Sequence, residues 1–337
     1  MNRISVLGAG SWGTALAVHY AASGKSVKLW ARRPEFAAEL EAERINRRYL
    51  ANAPLPPSLE VTADLEAAMD SDLVLVVVPS HGFREVVRHY LEVHPKSRPA
   101  RMISASKGVE TETLARMSQV VAEEAATAGR QAQFAVLSGP SFAAELAVGA
   151  PTAAVIATAE TELATELRDS LSTPSFRLYS SSDVVGVELG GTAKNVIAIA
   201  AGVVAGLGLG HNTLAVLITR GLHEISRLGV AYGGQVRTFS GLSGLGDLVL
   251  TCTGGLSRNR QIGIELAKGR ALPEILASSP FVGEGVRNSA SVARLAGAKG
   301  VEMPITEQMM QVVWQGKSVR EAVSALMTRD LKEESEL

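Results

Sequence analysis

Gly8-Ala9-Gly10-Ser11-Trp12-Gly13 follows the apolar run at residues 3–7 and opens an Ala-rich stretch with helical character at 14–22. Strand, glycine turn and helix, in that order, are the setting in which this glycine spacing carries information. Gly8 permits the tight turn, Gly10 lets the backbone approach a pyrophosphate, and Gly13 lets the helix pack close to the strand. Phosphates would rest on the helix N-terminus, where unpaired amides and the macrodipole favour negative charge. A turn that holds no ligand is the plainer reading, and the strand-turn-helix context favours a dinucleotide site over it. The similar spacings at residues 206–210 and 241–246 follow no such strand.

Outward from this turn, short β-type runs at 26–31, 73–78, 101–105, 135–138 and 152–157 alternate with helical stretches such as 34–44 and 113–128. That alternation builds a parallel sheet with helices on both faces. Near Ser180-Ser181-Ser182-Asp183 the pattern changes, and long Ala/Leu/Ile/Val segments of helical period run to Leu326. The expected architecture is an α/β, Rossmann-like N-terminal domain with a mostly parallel sheet (residues 1–182), followed by an all-α C-terminal domain (183–337). The charged tail from Arg329 is expected to fray.

A chain of 337 residues exceeds what one core usually organises, and 46% hydrophobic with 20% charged residues is a globular composition. The formal charge of −1 provides no global basic field for nucleic acid or an anionic membrane, so any anion needs a local site. Cys252 is the single cysteine and the six histidines show no ligand spacing, so neither a disulfide nor a metal site is expected. Only four residues separate Met1-Asn2-Arg3 from Gly8, too few for an apolar targeting core, and the cytoplasm is the expected compartment. Residues 195–219 lack Asp, Glu, Lys and Arg, but Gly206, Gly208 and Gly210 interrupt them; a buried core helix is expected there, without stable membrane insertion.

About 20 residues beyond the glycines, an acid would bind a ribose 2′-hydroxyl. Here the sequence reads Leu29-Trp30-Ala31-Arg32-Arg33. Two guanidinium groups in place of the acid suit a 2′-phosphate, so NADP is favoured over NAD. The alternative has one arginine solvated and the other stacked on adenine, tolerating NAD as well.

Polar, glycine-bounded segments follow two later strands: Ser104 to Gly108 with Lys107, and Ser138-Gly139-Pro140-Ser141. Residues beyond strand C-termini in a parallel sheet face the ligand crevice. Lys107 is therefore a candidate contact to substrate or cofactor, and equally a surface lysine in a turn. Lys194, after Gly190-Gly191-Thr192-Ala193 and before an apolar run, is a candidate for proton transfer, although a lysine snorkelling to the surface fits the residues as well. Ser257-Arg258-Asn259-Arg260 reads as a helix start capped by Ser257, where two arginines in the first turn oppose the dipole unless an anion binds. Asp247 lies shortly upstream, able to bind a substrate hydroxyl or to orient Lys194. Cys252 reads as a small buried residue.

Together these residues resemble the bacterial NAD(P)-dependent sn-glycerol-3-phosphate dehydrogenases. The resemblance includes Gly8 to Thr14, Val77-Val78-Pro79-Ser80, Ser138-Gly139-Pro140-Ser141-Phe142-Ala143, Gly190 to Ala200, Leu245 to Thr253, Ser257-Arg258-Asn259 and Val301 to Ile305, from residue 3 to about 325 of the chain. It implies reversible hydride transfer between NAD(P)H and dihydroxyacetone phosphate, giving sn-glycerol 3-phosphate for phospholipid synthesis. Lys194 matches the family's proton acceptor. Lys107, Gly139, Ser141, Lys194, Asp247, Ser257, Arg258 and Asn259 match substrate contacts. Ser11, Trp12, Arg32, Lys107, Ala143, Arg258, Val282 and Glu284 match cofactor contacts, to which the residues themselves add Gly8, Gly10, Gly13 and Arg33. Ala144, His211, Leu214 and Gly283 depart from the family's common residues. A dehydrogenase of a β-hydroxy or sugar acid and a non-catalytic nicotinamide sensor are the competing readings, and a homodimer is the candidate assembly.

Overall fold

The computed structural model describes residues 1–337 apart from 69–70, 96, 279–282, 332 and 335–337. The chain divides into two compact units, Met1–Val184 and Val185–Leu337.

The first unit contains strands β1 (Arg3–Leu7), β2 (Ser26–Trp30), β3 (Ile45–Asn46), β4 (Leu50–Pro54), β5 (Leu59–Thr62), β6 (Leu73–Val76), β7 (Ala100–Ser104), β8 (Ala132–Ser138), β9 (Thr152–Ala157) and β10 (Phe176–Ser181). Its helices are α1 (Ser11–Ala22), α2 (Pro34–Glu43), α3 (Phe83–Val93), α4 (Met117–Thr127), α5 (Ala143–Ala147) and α6 (Thr161–Leu171). Eight strands form one sheet in the order β10-β9-β8-β7-β6-β1-β2-β5. Every neighbouring pair is parallel except β8 with β9, so the sheet is mostly parallel and Rossmann-like. Ile4, Val6, Leu29, Leu75 and Ile103 pack on one face with residues of α1, α2 and α6, while Leu7, Val74, Val76 and Met102 pack on the other with α3 and α4. Burial on both faces is why the central strands read as near-continuous apolar runs, and each Leu, Ile or Val so buried contributes about 1.5–3 kcal/mol.

The chain leaves β1 through α1 to β2 on one side and later returns to β6 on the other. The C-terminal ends of β1 and β6 are thus the switch point at which open α/β sheets hold ligands. The β3–β4 hairpin was not legible in the residues, because Leu50–Pro54 alternates poorly and is held by packing of Leu50 and Ala53 on Ala15 of α1. The helix expected at 113–128 starts later, at Met117. Leu114 adopts φ 61°, and Val109 and Arg116 pair in an isolated bridge that closes the preceding loop.

The second unit is built of helices and turns among the described residues: α7 (Val184–Gly206), α8 (Gly210–Ala231), α9 (Val236–Phe239), α10 (Asp247–Thr253), α11 (Arg258–Ala267), α12 (Leu272–Ala277), α13 (Glu284–Lys299), α14 (Pro304–Gln315) and α15 (Val319–Met327). A π-helical turn, Leu242–Gly246, runs directly into α10. The expected core helix begins earlier than its apolar run: α7 is 23 residues long, which by length and composition could cross a membrane. Instead 89% of its most apolar window is buried within the protein.

Candidate functional site

In the N-terminal unit the glycine turn takes the shape its spacing predicts. Gly8 has φ 121°, and its amide donates to Trp30 O at 3.0 Å. A Cβ on Gly13 would stand 1.9 Å from Gly8 O, so α1 can approach the turn only with glycine there. Gly10 caps α1 in an extended conformation, a Cβ on it would meet nothing within 4 Å, and the first turn of α1 carries no acid. An open glycine at a positively polarised helix start fits a dinucleotide pyrophosphate. Ser11 and Trp12 are half-buried in that first turn. Trp12, like Ala143, packs against the cluster of Ala15, Leu50 and Ala53, and its Nε1 is buried with no hydrogen-bond partner among the described residues. Arg32 and Arg33 are exposed after β2, with the Arg33 guanidinium 5.4 Å from the centre of the Phe36 ring.

Lys107 lies half-buried in the loop after β7. Ser106 Oγ donates to Val78 O on one side of it, and Gly108 turns the chain with φ 141° on the other. Glu110 then receives two bonds from Arg84, at 2.6 and 2.8 Å, which hold its carboxyl below the usual carboxylate range. After β8, Gly139 has φ 152° and its Cα lies so near Ala154 that a Cβ would come within 2.9 Å. Ser141 Oγ donates to Gly139 O at 3.0 Å.

In the helical unit, Lys194 sits in mid-α7 and does not snorkel. Its ammonium donates to Asp247 Oδ1 and, at 2.7 Å, to Thr251 Oγ1. The Thr251 hydroxyl in turn donates to the Asp247 carbonyl at 2.6 Å. Gly190 makes this meeting feasible, since a Cβ there would be 2.8 Å from Ser243 O in the π turn that delivers Asp247. Asp247 thus lies where it accepts from Lys194, one of its two expected partners. Thr251 was not singled out from the residues; its position one helical turn after Asp247, on the same face, is the signal that identifies it.

Asn195, next to Lys194, accepts through Oδ1 from Asn259 Nδ2 at 3.0 Å, and Asn259 Oδ1 accepts from the Gly285 amide at 3.1 Å. The helix start at residue 258 forms as expected: Ser257 is buried, and its Oγ accepts from the Arg260 amide at 3.3 Å. Arg258 is exposed at the first position of α11, whereas Arg260 Nε is buried and has no partner among the described residues. Glu284 opens α13 directly after Gly283, and Val282 lies outside the described residues. Cys252 is buried, and burial pushes its thiol up to about 12. Among the described residues, no group of His, Cys, Asp or Glu side chains could hold a metal ion.

A switch-point sheet with this turn defines the class of Rossmann-type nucleotide-binding proteins. Within it, residues 3–164 match the model of the NAD-dependent glycerol-3-phosphate dehydrogenase N-terminus, and residues 183–324 match that of the C-terminus. The chain belongs to the NAD-dependent glycerol-3-phosphate dehydrogenase family. It is 51% identical to an NAD(P)+ glycerol-3-phosphate dehydrogenase of Citrifermentans bemidjiense over 334 residues, 99% of each chain. It is 50% identical to the protein of that name from Geobacter metallireducens over 337 residues, again 99% of each. The crystal structure of glycerol-3-phosphate dehydrogenase from Coxiella burnetii superposes with a TM-score of 0.92 at 40% identity, covering 97% of this chain and 99% of that one.

Proposed function

We propose that the protein reduces dihydroxyacetone phosphate to sn-glycerol 3-phosphate with NADPH or NADH, reversibly, and so supplies glycerophospholipid synthesis in the cytoplasm. The observation that carries this reading is the buried Lys194, Asp247 and Thr251 cluster in a chain half identical, over its whole length, to enzymes of that name. Residues 1–182 are the dinucleotide-binding domain, and residues 183–337 carry the proton chemistry and the phosphate site. Arg32 and Arg33, with no acid after β2, support a preference for NADPH.

When bound, the nicotinamide supplies or accepts the hydride. Lys194 Nζ donates a proton to the ketone oxygen as it becomes an alkoxide, and in the reverse direction the neutral amine takes the hydroxyl proton. Asp247 and Thr251 aim the ammonium and restrict its rotation, since both accept from it. Arg258, Asn259, Ser257 and the first amides of α11 bind the substrate phosphate, and that binding energy holds the carbonyl for reaction. Two of Asn259's hydrogen-bonding positions are already used by Asn195 and Gly285, so its remaining N–H makes the phosphate contact. Lys107, Gly139 and Ser141 contribute further substrate contacts, and Ser11, Trp12, Ala143, Val282 and Glu284 further cofactor contacts.

Absorbance at 340 nm tests the proposal. NADPH should be consumed with dihydroxyacetone phosphate and hardly at all with dihydroxyacetone. Turnover of a β-hydroxy or sugar acid instead, or binding of NADPH without turnover of any ketone, would replace it.

A further inference from the structure

Asn46 ends the two-residue strand β3 and is completely buried. Its Nδ2 donates to the Ala9 carbonyl at 3.1 Å and to Thr14 Oγ1 at 2.8 Å, while its Oδ1 accepts from the Tyr49 amide at 3.1 Å. Burying a carboxamide costs free energy unless it is paired, so these partners define its role. Ala9 lies between the first two glycines of the turn. Thr14 follows the last, and its amide donates to Gly10 O at 2.9 Å. One side chain, 37 and 32 residues away in sequence, therefore grips the turn on both sides of Gly10.

The direction of the first of these bonds matters. The Ala9–Gly10 peptide is trans, so the Ala9 carbonyl and the Gly10 N–H point to opposite sides of the chain. With the carbonyl drawn inward onto Asn46, the Gly10 N–H is turned away from the buried hairpin. The carbonyl's negative end is removed from the place where a phosphate would sit, and a donor is offered in its stead. Neither Gly10, which has space around it, nor Ala9 could hold that peptide plane alone, because glycine leaves the turn conformationally permissive.

We propose that Asn46 is a positioning residue for the dinucleotide pyrophosphate: it sets the Ala9–Gly10 peptide so that an amide, not a carbonyl, faces the phosphate oxygens. This rests on the dinucleotide reading of the N-terminal unit. Asn46→Leu in the full chain is the selective variant, since its side chain has nearly the same size, adds no charge beside the phosphates and cannot donate to Ala9. Two ligands are titrated calorimetrically without turnover: NADPH, and adenosine 2′-monophosphate, which has the 2′-phosphate but no pyrophosphate. The NADPH dissociation constant should rise about tenfold or more, while that for adenosine 2′-monophosphate should stay within about twofold of wild type. If circular dichroism shows Asn46→Leu unfolded, Thr14→Val releases the other anchor of Nδ2 and should weaken NADPH about threefold with the same selectivity. Unchanged NADPH affinity in a folded variant, or equal losses for the two ligands, would overturn the proposal. Wild-type protein that binds no NADPH would instead overturn the dinucleotide reading, and this one with it.

Discussion

Lys194 and Asp247 stand 53 residues apart in sequence and meet inside the helical unit, with 6% and 2% of their side-chain surfaces exposed. The meeting depends on a helix of small residues before Lys194 and on a π turn before Asp247, a local irregularity of the kind often found at functional sites.

Removing one partner of this pair leaves a buried charge uncompensated, which costs about 3–5 kcal/mol, whereas removing both leaves none. Asp247→Ala should therefore lower stability to urea more than the double variant Lys194→Ala/Asp247→Ala does. Strictly additive losses would mean that the pair is solvated and its geometry incidental. In turnover, Lys194→Ala should lose about 100-fold or more in kcat while binding NADPH nearly as wild type. Retained kcat would assign the proton to another group.

Arg32 and Arg33 are both exposed at the end of β2, free to meet a charged ligand. Neutralising both should raise the NADPH dissociation constant far more than that of NADH. A ratio unchanged from wild type would show that the 2′-phosphate is not read here.

Arg258 opens α11, where a cation opposes the helix dipole at a cost of about 0.3–1 kcal/mol unless an anion is bound. Arg258→Ala should reduce kcat/KM for dihydroxyacetone phosphate much more than for dihydroxyacetone. Because Arg258 is also assigned to the cofactor, the ratio of the two values is the informative quantity. An unchanged ratio would move the phosphate elsewhere, with Lys107 the next candidate.

Glu224 caps α14 from a distance: its carboxylate accepts from the amides of Ile305 and Thr306 and from the Thr306 hydroxyl. Burial outweighs these bonds and the nearby Arg227, pushing the carboxyl up from 4.5 to about 7. A carboxyl raised on folding binds its proton more tightly in the folded state. Its contribution is fully present below pH 4.5 and is lost as pH rises to about 7, a change of about 3 kcal/mol. Glu224→Gln should flatten the wild-type decline in stability across that window, as followed by urea melts at several pH values. An identical slope in the variant would place the titration elsewhere.

The glycine turn, six strands of the eight-stranded sheet, the Ser257 cap and the change to helices near residue 183 were legible because each depends on neighbours in the chain, whereas the edge strands β5 and β10 were not. Spacing of glycines and runs of apolar residues report backbone freedom and burial over a few residues, which is the range a linear reading covers. Lys194 and Asp247 could each be noticed that way, yet their pairing could not be decided: surface snorkelling and a buried ion pair look alike until α7 and α10 are packed together. The same holds for Asn46, an unremarked polar residue in a weakly patterned stretch. Whether it is a solvated loop amide or the clamp on the dinucleotide turn depends on the β3–β4 hairpin folding back on α1. A hydrogen bond has a strict reach of about 3 Å, and only the tertiary path of the chain decides which distant atoms come within it.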